Sequence, residues 1–163
     1  MKRFLISGIT LVACLVMFAA CGDDDDPIEQ VTEQLIGSMD ADIDGTAWSA
    51  DAPGAVRSNG ATVITGVTTD QTRTIILTAN GTTQGNYDFT IASPSGGALV
   101  RIVTNNDTTQ YVPVSGNFEI TSLSTSNNRL SGTFSFDAFS LSVPIDTVSI
   151  TNGTFNNVLF TDQ

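Results

Sequence analysis

The chain has 163 residues, with 17 aspartates and glutamates against 6 lysines and arginines, no histidine and a formal net charge of −11. This acidic balance excludes a nucleic-acid partner, because neutralising phosphates requires a basic face. The lack of histidine excludes imidazole-based catalysis, which leaves paired carboxylates, as in glycosidases. No spacing in the sequence singles out such a pair, so we predict a protein that is not an enzyme and has no cofactor.

Residues 1–20 have the organisation of a secretory signal peptide. Lys2 and Arg3 form a short positive region, and residues 4–20 are mostly apolar and end in small side chains. The alternative is a retained transmembrane helix, but 17 residues lie at the lower limit for a span. The acidic run that follows is the wrong flank for a retained helix.

Cys21 is the predicted lipidation site. Phe18-Ala19-Ala20-Cys21 resembles a bacterial lipobox, in which the thiol takes a diacylglyceryl group and the chain is cut before the cysteine. Cys14 is the alternative, but a cut there would leave an apolar segment at the new terminus. Two or three acyl chains anchor a protein permanently, so the predicted membrane contact is a lipid anchor. No cysteine then remains for a disulfide or a metal.

Residues 21–39 are predicted to be the lipidated cysteine and an acidic tether. Asp23 to Asp26 resemble the export signal of lipoproteins on the outer face of the Bacteroidota outer membrane; the alternative is a solvated linker in the periplasm. A short helix from Pro27 or a disordered linker fits the remainder equally well. Loss of Lys2 and Arg3 leaves four arginines against 17 carboxylates, a net charge of −13.

Residues 40–163 are predicted to form one antiparallel β domain. Apolar and polar residues alternate, most clearly in Leu130–Ala138 and Tyr87–Ile91. This period of two indicates strands with one buried face. We therefore expect an all-β fold, an antiparallel two-sheet sandwich, with a closed lipocalin-like barrel as the alternative.

Ten strands are predicted, separated by Gly, Asn, Ser and Asp. They lie near residues 41–50, 61–68, 73–80, 85–92, 97–104, 109–114, 116–124, 129–138, 145–151 and 154–160. Asn152-Gly153 predicts a hairpin between the last two strands.

The segment Asp40-Ala-Asp42-Ile-Asp44-Gly45, followed by Asp51, resembles a calcium-binding EF-hand loop. Asp51 is shorter than the glutamate usual at that position. A turn at Asp44-Gly45 is the simpler interpretation, and we predict no metal site.

Single aromatic and threonine residues offer weaker candidates. Trp48 is predicted to fill the core rather than to stack on a sugar, and Tyr111 is the better candidate for an exposed aromatic ring. Thr108 and Thr147 lie in Asp-Thr triplets that look like the sites at which Bacteroidota O-glycosylate exported proteins.

The order of several short motifs resembles a family of small Bacteroidota lipoproteins built on a β-rich domain of unknown function. The motifs are Ile43-Asp44-Gly45 with Trp48, Gly85-Asn86-Tyr87, Ser131 to Phe136, and Ile150 to Phe155. The resemblance covers most of residues 40–163. It implies an all-β surface lipoprotein and supplies no catalytic residue.

These observations predict a lipid-anchored cell-surface lipoprotein on the outer membrane, facing the cell exterior. Its role would be binding or structural, with a glycan or a surface protein as partner. The alternative is a small-molecule carrier whose cavity would be lined by residues such as Phe118, Phe134 and Phe136. A carboxylate-based glycosidase is the third possibility.

Overall fold

The computed structural model describes residues 36–90 and 94–163. In these residues every secondary-structure element is a strand, and the predicted all-β, largely antiparallel fold is confirmed. The ten strands are β1 Ser38–Ile43, β2 Thr46–Ser49, β3 Gly54–Ser58, β4 Ala61–Val67, β5 Arg73–Ala79, β6 Gly85–Asp88, β7 Gly96–Thr104, β8 Asp107–Ser124, β9 Arg129–Ser140 and β10 Thr147–Asp162.

The strand pairings form a closed circuit. From β10 they run through β3, β4, β5, β7, β8 and β9 and return to β10. Outside this circuit, β1 pairs with β10 between Ile150 and Asn156, β2 pairs with β1, and β6 pairs with β8. Among the described strands the β10–β3 pair is parallel and the other pairs are antiparallel. The choice between a sandwich and a barrel stays a prediction.

The predicted hairpin at Asn152-Gly153 is wrong. Two strands were predicted over residues 145–151 and 154–160, but residues 147–162 form the single strand β10. The register of β10 against β9 shifts between Ile150 and Gly153, and Asn152 has a φ of 53°. An Asn with positive φ followed by Gly therefore marks a bulge here, because β10 remains paired on both sides of it. Residues 109–114 and 116–124 likewise join in the one strand β8.

β3 is a strand that the sequence reading missed. It pairs with β4 through a two-residue turn at Asn59-Gly60, where both φ angles are positive, 51° and 80°. Asp44-Gly45 connects β1 to β2 in the same way, with φ angles of 51° and 75°. These angles are those of the type I′ turns that suit two-residue hairpins. The strand predicted over 41–50 is therefore a hairpin of two strands.

A cluster of aromatic rings fills the core between β6, β8, β9 and β10. Phe118 lies 5.1 Å from Tyr87 between ring centroids, and Phe134 lies 6.4 Å from Phe136 and from Phe155. The buried positions of β9 are those that the alternation predicts: Leu130, Gly132, Phe134, Phe136 and Ala138. These aromatic side chains pack against one another over the buried side of the sheet.

Two glycines of the core make room for phenylalanine rings on the neighbouring strand. The sequence Gly-Thr-Phe occurs at 132–134 in β9 and at 153–155 in β10, and the two copies pair antiparallel. Gly132 lies opposite Phe155, and Gly153 lies opposite Phe134. A Cβ atom at either glycine would overlap the opposite ring. The glycines are therefore packing positions in strands, and neither has a positive φ.

Candidate functional site

The predicted lipidation site Cys21 lies outside the described residues. The same is true of the signal peptide 1–20 and of most of the predicted tether. β1 begins at Ser38, two residues before the predicted start of the domain.

The aspartates that resemble a calcium-binding loop are on a hairpin and do not converge. Asp40 and Asp42 lie on β1, and Asp44 lies in the turn that follows. Asp40 accepts a hydrogen bond from Ser49 Oγ (2.6 Å), and Asp44 accepts one from the Ser149 backbone N–H (2.8 Å). In residues 36–90 and 94–163, no group of three or more acidic or other metal-ligating side chains is placed to hold a metal ion.

Both aromatic candidates are buried. Trp48 is 5% exposed and belongs to the core, as predicted. The prediction that Tyr111 is exposed is wrong, since it is only 6% exposed and its hydroxyl donates to Asp146 Oδ2 at 3.0 Å. Neither ring is available to stack on a sugar. Burial raises the pKa of Tyr111 above its ordinary value, and the hydrogen bond to Asp146 and its charge act in the same direction.

The two threonines predicted as glycosylation sites are exposed. Thr108 lies near the start of β8, opposite Val103, and Thr147 is the first residue of β10. Accessibility satisfies a requirement for modification, and their glycosylation stays a prediction.

A surface of polar side chains lies on the outer side of six neighbouring strands, β6, β8, β9, β10, β1 and β2. We call this surface the polar face, made of Asn86, Asp88, Asn117, Glu119, Thr133, Ser135, Thr151, Asn152, Thr154, Asp40, Asp42 and Ser49. It has four carboxylates and neither lysine nor arginine. Because alternate side chains of a strand point to opposite faces, the buried aromatic cluster lies directly beneath it.

Strand register aligns part of this face into one row. The row contains a residue from each strand, each directly opposite the next: Asn86, Glu119, Thr133, Thr154, Asp40 and Ser49. Directly opposed residues of antiparallel strands point to the same side of the sheet. Neighbouring strands lie about 4.8 Å apart, so the row is about 24 Å long.

Two open grooves lie side by side on the polar face. The larger, of about 560 Å³, crosses β8, β9 and β10, and Glu119 is the carboxylate in it. The smaller, of about 310 Å³, includes Asp40 and Asp42. Asn152 lines both grooves, and its amide donates to Asp42 Oδ2 at 2.7 Å. The bulge at Asn152 therefore places an amide at the boundary between the two grooves.

The polar groups of this face suit a ligand rich in hydroxyl groups. Carboxylates accept hydrogen bonds, amides donate and accept them, and threonine hydroxyls do both. An ionised carboxylate has about four lone-pair sites, so the single bond from Ser49 leaves Asp40 with further acceptor capacity. The row can accordingly offer donors and acceptors along its whole length.

The sequence reading did not identify Asn117, Glu119, Thr133 or Asn152 as site residues. Alternation with buried residues indicated that Asn117, Glu119 and Thr133 face outward, whereas Asn152 was predicted to lie in a hairpin turn. Their alignment depends on which residues are opposite each other across six strands, and a single sequence does not specify that register.

A third groove lies on β3 and β4 and is different in chemistry. It has a volume of about 390 Å³ and is lined mainly by apolar side chains: Ile36, Ala52, Pro53, Ala55, Val56, Val63 and Leu159. Ile36, the first described residue, lines this groove.

In the described part of the chain, no helix is long and apolar enough to cross a lipid bilayer. A family model described as a domain of unknown function, DUF6252, matches residues 37–159. No curated protein and no solved structure matches the chain.

Proposed function

The chain belongs to the DUF6252 family of domains of unknown function, and we propose that it is a lipid-anchored cell-surface module whose polar face binds an extended glycan. The observation that carries the glycan contact is the row of six register-aligned polar side chains from Asn86 to Ser49. A polymer of hydroxyl-bearing units can contact such a row at several successive positions.

The anchor half of the proposal depends on the amino-terminal sequence. The signal peptide, the lipobox ending at Cys21 and the run Asp23 to Asp26 support a Bacteroidota lipoprotein on the outer face of the outer membrane. The resemblance of the β domain to small lipoproteins of that group supports the same location. The acidic run keeps the start of the chain away from anionic headgroups.

The groove geometry favours binding over the two alternatives. A glycosidase needs two acids on either side of one bond. The larger groove contains the single carboxylate Glu119, and the two carboxylates of the smaller groove, Asp40 and Asp42, lie on the same strand and accept hydrogen bonds from Ser49 and Asn152. A carrier needs a cavity where Phe118, Phe134 and Phe136 lie, and these rings pack against neighbouring aromatic rings. Both observations support a non-catalytic module that holds its ligand at the surface.

Calorimetry with neutral oligosaccharides tests the glycan contact. The probes are cello-, xylo-, malto- and manno-oligosaccharides of two to six units. We expect binding by at least one series, with an affinity that rises with length. Glu119→Gln keeps the size of the side chain and removes its charge, and it should weaken binding about tenfold, the effect of losing one charged hydrogen bond.

Asp70→Asn is the matched control, since Asp70 is an exposed carboxylate in the loop between β4 and β5 and is not one of the polar-face residues. Its affinity should equal that of the unchanged protein. Lack of binding by all four series, or equal affinity for Glu119→Gln, would contradict the proposed glycan contact.

Cys21→Ser tests the anchor separately. A hydroxyl does not take the lipid, so the variant should leave the membrane fraction, and its intact mass should lack the acyl groups. Unchanged fractionation with envelope membranes would reject lipid anchoring at this residue.

A further inference from the structure

The loop between β9 and β10 exposes three large apolar side chains. Leu141 is 62% exposed, Val143 94% and Ile145 71%. We call these three residues the apolar tip. Elsewhere in the described part of the chain, the most exposed large apolar residues are Leu159 (42%) and Val114 (38%). Exposed apolar residues grouped together mark interaction surfaces, whereas isolated ones are ordinary.

Hydrogen bonds hold both ends of this loop. The Ser140 N–H donates to the Asp146 carbonyl at 2.7 Å, and the Asp146 N–H donates to Ser140 Oγ at 2.8 Å. The Leu141 N–H donates to the carbonyl of Gln110 on β8 at 2.9 Å. A loop closed in this way presents its apolar side chains in a fixed position, which lowers the entropy cost of binding.

Carboxylates surround the base of the apolar tip. Asp146 adjoins Ile145 and accepts the hydrogen bond from Tyr111. Asp44 exchanges hydrogen bonds with Ser149, two residues after the start of β10: its N–H donates to the Ser149 carbonyl at 2.9 Å, and its carboxylate accepts from the Ser149 N–H at 2.8 Å. The tip therefore combines an apolar centre with an acidic rim at Asp44 and Asp146.

The apolar tip lies far from Ser38, where β1 begins. Thr147 starts β10 directly after the loop, whereas Ser38 pairs with Asn156 nine residues further along β10. At about 3.3 Å per residue, this separation is roughly 25–30 Å. A chain held by its amino terminus accordingly leaves the tip accessible.

Two other occupants of the tip fit the observations less well. Two copies docked through this loop would bring the same acidic rims together, and like charges facing each other across an interface are unfavourable. A bilayer surface is commonly anionic, and the loop has none of the tryptophan, tyrosine, lysine or arginine that anchors segments at lipid interfaces.

We propose that the apolar tip inserts into an apolar cleft, rimmed by lysine or arginine, on another protein. Tight association through a few buried side chains surrounded by polar contacts is usual for protein interfaces. This contact is separate from the polar face, and it goes beyond the glycan contact without depending on it.

In-cell photo-crosslinking tests the proposal with the full-length protein. A photoreactive amino acid replaces Val143, and the control position is Ser126, an exposed residue of the turn between β8 and β9. We expect one protein adduct at position 143 that is absent at position 126. Mass spectrometry of the adduct should identify a partner whose contact region has basic residues around an apolar cleft.

Three variants, each combined with the crosslinker at position 143, test the chemistry of the contact. Ile145→Ser should lower the adduct yield about tenfold, whereas Ile145→Val should retain it. Asp44→Asn removes a charge and keeps a side-chain acceptor for Ser149, and it should lower the yield several-fold at low salt but less at high salt. Thermal unfolding should be unchanged in these variants, since Ile145 and Asp44 are exposed.

Any of the following outcomes would overturn the proposal. A lipid adduct would assign the tip to a bilayer, and an adduct of twice the chain mass would assign it to a second copy. The same adducts at positions 143 and 126, no adduct at all, or a yield that Ile145→Ser leaves unchanged would show that the tip is not a docking element.

Discussion

The paired Gly-Thr-Phe segments show how single residues position the core of this protein. On the buried side of the sheet, Phe155 occupies the space next to Gly132, and Phe134 occupies the space next to Gly153. The threonines between them, Thr133 and Thr154, are opposite each other and point outward into the polar face. The same six residues therefore fix the packing below the sheet and the register of the row above it.

Gly132→Ala and Gly153→Ala are expected to destabilise the protein by about 3 kcal/mol each, because an added methyl group must displace a packed ring. At Gly132 the methyl group would also meet the carbonyl oxygen of Glu119 on β8. Urea unfolding followed by tryptophan fluorescence measures the loss. Gly97→Ala is the control, as a Cβ atom there meets nothing within 4 Å. Equal stability of all three variants would contradict this account of the core.

Tyr111 gives the protein a predictable response to alkaline pH. Its folded pKa lies above the ordinary value of 10.0, chiefly through burial and then through Asp146. A raised pKa favours the protonated phenol in the folded state, so this stabilisation is complete below about pH 10 and is lost as pH rises through the folded pKa.

Phenolate absorbance in a Tyr87→Phe background reports the titration of Tyr111 alone, since the chain has two tyrosines. We expect it to titrate at higher pH than free tyrosine, and Asp146→Asn should lower its pKa by removing the carboxylate. A titration that Asp146→Asn leaves unshifted would show that the hydrogen bond between these residues does not form.

At the scale of elements, local sequence predicted most strands. It failed where the dipeptide Asn-Gly can form either a hairpin turn or a bulge within one strand. Asn59-Gly60 and Asn152-Gly153 are the same dipeptide, yet the first turns a hairpin and the second forms a bulge within β10. The difference comes from the surroundings. β10 is held by β9 on both sides of its bulge, and Phe134 packs on Gly153. Tertiary packing of this kind is not visible in a window of a few residues.

The missed strand β3 had a detectable signal. Asn59-Gly60 precedes a well-predicted strand at two-residue spacing, which implies a partner strand on its other side. The parallel pairing of β3 with β10 had no such signal, since Ala55 and Phe160 are far apart in sequence. The outward direction of the polar-face residues was accordingly predictable, and their alignment across strands was not.

At the scale of the whole molecule, the outer surface has regions of different chemistry. The polar face extends over six strands, an apolar groove lies on β3 and β4, and the apolar tip lies at the start of β10. The proposed glycan contact and the proposed protein contact thus lie at separate places on one domain.

β1 begins at Ser38, before residue 40, where the domain was predicted to start. Met39 is fully buried, lies opposite Phe155, and accepts a hydrogen bond from the Ala50 N–H at 2.8 Å. A chain that begins at residue 40 should therefore be less stable than one that begins at residue 37 by roughly 2–5 kcal/mol, the cost of losing a buried methionine.

Urea unfolding of the two purified chains measures the difference. Met39→Ala in the longer chain should reproduce most of the loss. Equal midpoints for the chains starting at 37 and 40 would place the domain boundary where the sequence pattern alone put it.

The position of β1 determines how the domain responds to mechanical force. A force applied at Ser38 acts first on β1. This strand is hydrogen-bonded to β10 on one side and to β2 on the other. Antiparallel ladder bonds are perpendicular to the strands. A load directed along β1 is therefore shared by two ladders in shear, which resists extraction of the strand better than opening the bonds one at a time.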